Sequence, residues 1–173
     1  VLVLEQEHPR HFQAVPADFE LTDYTGRAAF IENADYPIFA GLSDEDFFCW
    51  SGDHVVYKNV YRKASRGARS LVQCDDELGY SALALCEVDE GLMLLCQMVV
   101  AEKLATDVTA RTLFDNMVDY VAAYERRVAP TAVALDGRDP RYKLLEESGL
   151  TFKAATDPVA AMRNGEAAVV VSP

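Results

Sequence analysis

Gly91-Leu92-Met93-Leu94-Leu95-Cys96-Gln97-Met98-Val99-Val100-Ala101-Glu102 is the stretch on which the reading of this chain turns. Eight of the ten residues from Leu92 to Ala101 are aliphatic or Met, and Cys96 packs as a small apolar side chain. A helix spanning a bilayer needs about 20 apolar residues, so this run is too short to cross one. It also lacks the strict alternation of a strand with one wet face, which predicts a strand covered on both faces.

Working outward, Val1 to Leu4 is a second apolar strand, with Glu5-Gln6-Glu7 at its end. His54 to Tyr61, Ser70 to Cys74 and Tyr80 to Val88 are rich in β-branched, aromatic or Leu residues. Asp75-Asp76-Glu77-Leu78-Gly79 and Asp89-Glu90-Gly91 are the turn sequences between and after them. Residues 54–90 therefore predict an antiparallel block. Upstream, Ser43-Asp44-Glu45-Asp46 has the spacing of a capping box, followed by the aromatic cluster Phe47, Phe48 and Trp50.

Asp107 to Arg127 predicts a helix, because Ala110, Leu113, Phe114, Met117, Val118 and Val121 form one apolar stripe at helical spacing. Thr106 or Asp107 suits its N-cap, Arg126-Arg127 suit its C-terminal dipole, and Pro130 ends it. After Pro130 the pattern alternates. Thr131 to Leu135 is a strand, Tyr142 to Ser148 a helix closed by Gly149, and Thr151 to Ala155 a strand. Asp157-Pro158 opens a short helix and Ala167 to Val171 is a strand again. Such alternation marks parallel strands joined by crossover helices. With Val1 to Leu4 and Leu92 to Val100, these strands make a sheet of ordinary size. One domain over residues 1–173 is expected, in which residues 131–173 complete the sheet of residues 1–129.

The 173 residues suffice for one substantial core. With 28 acidic against 16 basic side chains the net charge is −12, which argues against nucleic acid or an anionic membrane as a partner. Cys49, Cys74, Cys86 and Cys96 show no CxxC spacing, so neither zinc nor a redox pair is expected, and no cofactor is indicated. The sequence opens inside a strand without Met and reads as a piece of a larger protein. Other domains of that parent chain are the expected partners, and a second copy of this chain is a further one.

Asp35-Tyr36-Pro37-Ile38-Phe39-Ala40-Gly41-Leu42-Ser43-Asp44-Glu45-Asp46-Phe47 and Trp50-Ser51-Gly52-Asp53 resemble segments of class I glutamine amidotransferase-like domains. The domains in question are those of large bacterial glycoside hydrolases of the β-galactosidase type. Gly91 to Gln97 and the helix containing Asn116 fit the same resemblance. Residues 1–129 resemble the second half of such a domain, and residues 131–173 its first three strands. The resemblance implies a flavodoxin-like three-layer α/β/α sandwich with a mainly parallel central sheet. Residues 54–90 would then be an antiparallel excursion, and the domain would be circularly permuted or cut across two tandem copies.

In catalytic members the last core strand ends in Gln-Phe-His-Pro-Glu. Here Gln97 is followed by Met98 and Val99, where the aromatic and the histidine would stand. The nucleophile elbow would follow Val1 to Leu4, yet Glu5-Gln6-Glu7 offers no Cys, Ser or Gly. The resemblance thus implies a non-catalytic accessory domain of a larger carbohydrate-active protein, with an architectural, oligomerisation or ligand-binding role.

No catalytic set is expected, and the residual candidates are Glu5, His8 and His54. A small hydrolase or amidase would use Glu5 with His8, His11 or His54 as acid and base. His8 and His11 stand beside Glu5 and Glu7, but Pro9 interrupts a helix there and no third ligand follows, so no metal site is expected. Asp53 could orient His54. Trp50, with Phe47, Phe48 and Tyr57, could instead stack on a sugar as a carbohydrate-binding module. Trp50, Asp53, Tyr57 and Gln97 are accordingly the candidate ligand-binding residues. Asp44, Glu45 and Asp46 are read as a helix start rather than as a glycosidase pair. Arg62, Lys63, Arg66 and Arg69 form a basic loop suited to an acidic neighbour.

Overall fold

The computed structural model of the chain describes residues 1–7, 17–88, 91–125, 131–147, 152–163 and 168–171. The chain forms two units, Val1–Arg126 and Arg127–Pro173. In the first, the strands are β1 (Leu2–Leu4), β2 (Glu20–Leu21), β3 (Thr25–Gly26), β4 (Ala29–Ile31), β5 (Tyr57–Lys58), β6 (Tyr61–Arg62), β7 (Arg69–Cys74), β8 (Tyr80–Val88) and β9 (Gly91–Cys96). Two α-helices follow, α1 (Val100–Lys103) and α2 (Val108–Ala122), and short 3-10 turns cover Pro37–Phe39 and Asp44–Phe47.

β8 is the centre of a seven-stranded sheet. One edge pairs with β7, from Arg69↔Leu85 to Cys74↔Tyr80, and β4 lies beyond β7. The other edge pairs with β9, from Leu83↔Cys96 to Val88↔Gly91, and at its N-terminal end with β6, which carries β2. All these pairs are antiparallel. β1 alone runs parallel to its neighbour, with Leu2↔Leu94 and Leu4↔Cys96 against β9. β3 and β5 form a separate antiparallel ribbon.

The expected flavodoxin-like sandwich is therefore corrected. The antiparallel block, expected as an excursion, is the body of the sheet, and the parallel part of this unit is the single pair β1–β9 among the described strands. The cause is the connection. Only two residues separate Val88 from Gly91, whereas parallel neighbours need a crossover of a dozen or more residues. Nor, among the described residues, do helices cover both faces. Val100 of α1 and Ala110, Leu113 and Met117 of α2 all enter one cluster, with Leu92, Leu94 and Cys96 of β9. Leu95 lies in a second, smaller cluster with Tyr61 and Cys86, against which Phe19 and Met93 pack. Burial on both faces of β9 is thus achieved by two separate clusters rather than by two helical layers.

α2 is capped by Asp107, whose Oδ1 accepts the Ala110 N–H at 3.0 Å while Oδ2 accepts the Ser51 N–H at 2.8 Å. Burial pushes the Asp107 carboxyl up, but these N–H donors outweigh it and hold it below its usual value. Asn116 ties the helix to the Pro37–Phe39 turn by donating to the Ile38 and Ala40 carbonyls at 3.0 and 2.9 Å. Arg126, Arg127 and Pro130, read as the helix end, lie outside the described residues.

In the second unit, β10 (Thr131–Ala134) is flanked by β11 (Lys153–Ala154) and β12 (Ala168–Val171), all parallel, with α3 (Pro140–Glu147) and α4 (Pro158–Arg163) between them in sequence. These three strands pair with one another in a sheet of their own. Among its described residues Ala132, Val133 and Ala161 are buried, and Tyr142 meets Phe152 edge-on with ring centres 5.2 Å apart.

Candidate functional site

Open α/β sheets hold ligands at the carboxyl ends of parallel strands. In the first unit that place is the end of the β1–β9 pair, where Glu5, Gln6, Cys96 and Gln97 come together. The register sets this directly, since Leu4 is level with Cys96.

Gln97 is 1% exposed, and both ends of its amide are engaged. Oε1 accepts the Gln6 N–H at 2.8 Å, and Nε2 donates to the Gln6 carbonyl at 3.0 Å and the Asn59 carbonyl at 2.7 Å. Its backbone marks a change of partner. The Gln97 N–H donates to Ala82 on β8 at 2.8 Å, while its carbonyl accepts the Lys58 N–H at 3.0 Å. Val99 continues that switch by donating to the Val56 carbonyl at 2.9 Å. One side chain therefore clamps the end of β1, the end of β9 and the segment after β5.

Glu5 reaches across to the start of α1, where Oε1 accepts the N–H of Ala101 at 2.6 Å and of Glu102 at 3.3 Å. Burial pushes the Glu5 carboxyl up and the two N–H donors pull it down, leaving it above its ordinary value. The Glu102 carboxylate adds to the rise, and it pairs in turn with Lys58 at 2.6 Å. That hydrogen bond raises the Lys58 ammonium. Next along α1, Lys103 is 4% exposed. Its Nζ donates to Asp53 Oδ1 at 2.6 Å and to the Val55 carbonyl at 2.8 Å, with the Trp50 carbonyl at 3.5 Å. The hydrogen bond from Lys103 holds the Asp53 carboxyl down at about 2.

A nucleophile would have to be Cys96, which stands at the strand end. Burial pushes its thiol far up, so it stays protonated at neutral pH, and thiolate is the reactive form. His54 is exposed with φ 65°, and the Oδ1 of Asp53 is taken by Lys103 and the Val55 N–H rather than orienting that imidazole. The hydrogen bonds to the Glu5 carboxylate come from the Ala101 and Glu102 N–H groups. His8 and His11 lie outside the described residues. No group of three or more His, Cys, Asp or Glu that could hold a metal occurs among the described residues.

Trp50 is 2% exposed, its Nε1 donating to the Asp46 carbonyl at 2.9 Å, so it presents no ring face to a sugar. Tyr57 is 6% exposed, and burial together with its bond to the Cys74 thiol pushes its phenol up to about 12. Of the four candidate ligand-binding residues, Asp53 and Gln97 are engaged within the chain and Trp50 lies in the core.

Lys58, Glu102 and Lys103 were not singled out from the sequence. Lys103 had a signal, since it follows Val100 by three residues and so shares the face of a helix whose first residue is buried. For Lys58 and Glu102 the sequence separation hides the pairing.

No family model matches this chain, and comparisons with curated proteins and with solved structures find no match.

Proposed function

We propose that the chain is a non-catalytic, architectural part of a larger carbohydrate-active protein. The observation that carries this is Gln97. At the strand end where a ligand or catalytic group would be held, its amide is occupied by Gln6 and Asn59. Glu5 is engaged in the same way by the start of α1, and Cys96 is a buried thiol. The class of the parent rests on the resemblance of Asp35 to Phe47 and Trp50 to Asp53 to segments of large glycoside hydrolases. A hydrolase built on Glu5 would need an imidazole beside it, and His54, the one histidine among the described residues, faces solvent.

The test is turnover. The purified chain and its Glu5→Gln variant are assayed against panels of amide and glycoside substrates. Neither is expected to exceed the uncatalysed rate. Turnover by the chain that Glu5→Gln abolishes, in a variant that remains folded, would overturn the proposal.

A further inference from the structure

Away from the strand ends, the β3–β5 ribbon and the turn after β7 enclose a pocket of about 520 Å³, lined by Arg27, Phe30, Tyr57, Asp75, Asp76 and Leu78 among others. That volume is within the range of about 300–1,000 Å³ usual for small-molecule sites. Lys103 is paired with Asp53, Lys58 with Glu102, Lys63 with Gln73 and Glu32, and Asp18 with Ser65. Arg27, Asp75 and Asp76 make no side-chain hydrogen bond or salt bridge among the described residues. Three unengaged ionic groups lining one pocket are groups available to a ligand.

The walls are fixed. The Tyr57 phenol crosses Gly26 so closely that a Cβ there would lie 2.2 Å from its hydroxyl, which makes glycine necessary. The hydroxyl then bonds to the Cys74 thiol and to the Asp75 backbone, anchoring the turn. Within that turn Leu78 donates to the Asp75 carbonyl at 3.1 Å, and the two residues have φ of 54° and 78°. A leucine is disfavoured in that left-handed region, yet here it places an apolar side chain, 36% exposed, at the rim. Phe30 forms another apolar surface, edge-on to Phe48 with ring centres 5.5 Å apart, and Phe48 is itself 43% exposed.

We propose that this pocket binds a neutral sugar ring. Phe30 and Leu78 offer apolar surfaces to the C–H face of a pyranose. The carboxylates of Asp75 and Asp76 accept from its hydroxyls, and Arg27 donates to them. Carboxylate acceptors, a guanidinium donor and two apolar side chains in one pocket complement an uncharged polyol with one apolar face. The proposal is independent of the non-catalytic reading of the strand ends.

The experiment is an NMR titration of the isotope-labelled chain with glucose, galactose, mannose, lactose and cellobiose, using acetate and methylammonium as charged controls. The expected result is saturable shifts at Arg27 to Phe30 and Asp75 to Gly79 with at least one sugar, and none with either ion. Asp76→Asn and Arg27→Gln each weaken binding about tenfold, the equivalent of one lost charged hydrogen bond. Asp119→Asn, on the exposed face of α2, leaves it unchanged. Asp76 is exposed, so its variant retains the fold, which Trp50 fluorescence verifies. Absence of saturable shifts with every sugar, shifts centred elsewhere, or binding of acetate or methylammonium in preference would each overturn the proposal.

Discussion

Lys103 brings an ammonium group into surroundings that leave it almost no solvent, and the site accepts it because oxygens of Asp53, Val55 and Trp50 face it. Replacing the side chain removes the donor while the carbonyls stay buried. Lys103→Met is expected to lose about 2–4 kcal/mol, the cost of leaving buried partners unpaired. Urea unfolding followed by the fluorescence of Trp50, the one tryptophan, measures it. Its partner Asp53 sets a pH dependence. Its carboxyl is depressed from the ordinary 3.8 to about 2, so its contribution is complete above the unfolded value and is lost as pH falls through the folded one. Asp53→Asn is therefore expected to be less stable than the unsubstituted chain above about pH 4, with the difference vanishing towards about pH 2. A gap in stability that stays constant across that window would contradict the assignment.

At the scale of elements, β9 shows what an apolar run does and does not determine. Burial on both faces was legible, and Leu92 and Leu94 on one side with Leu95 on the other fulfil it. Full burial of one such leucine stabilises by about 1.5–3 kcal/mol. Strand direction is not legible in such a run, because burial on both faces suits either direction, and β9 is parallel to β1 yet antiparallel to β8. The deciding signal was connection length. Two residues between Val88 and Gly91 permit a hairpin and no crossover. α2 was more legible, since a helix buries one stripe and its cap is local. Asp107 caps it, and Ala110, Leu113 and Met117 are buried as the spacing requires. Val118, assigned to the same stripe, is 41% exposed because it lies at the stripe's margin. Trp50 shows the opposite limit, for an aromatic cluster in sequence carries no indication of whether its rings face ligand or core.

At the scale of the first unit, three polar side chains join segments far apart in sequence. Gln97 connects Gln6 to Asn59, Glu5 connects β1 to α1, and Lys103 connects α1 to the loop after Trp50. Pairings separated by dozens of residues leave no periodic trace, which is why Gln97 could be read from sequence as a ligand-binding candidate. The same side chains would have to be released before the strand ends could bind anything. The account stands most directly on Gln97→Ala, measured by urea unfolding with Trp50 fluorescence. The predicted result is a loss of about 2–4 kcal/mol, as the Gln6 and Asn59 backbone groups lose their partners. Stability within about 0.5 kcal/mol of the unsubstituted chain would contradict it.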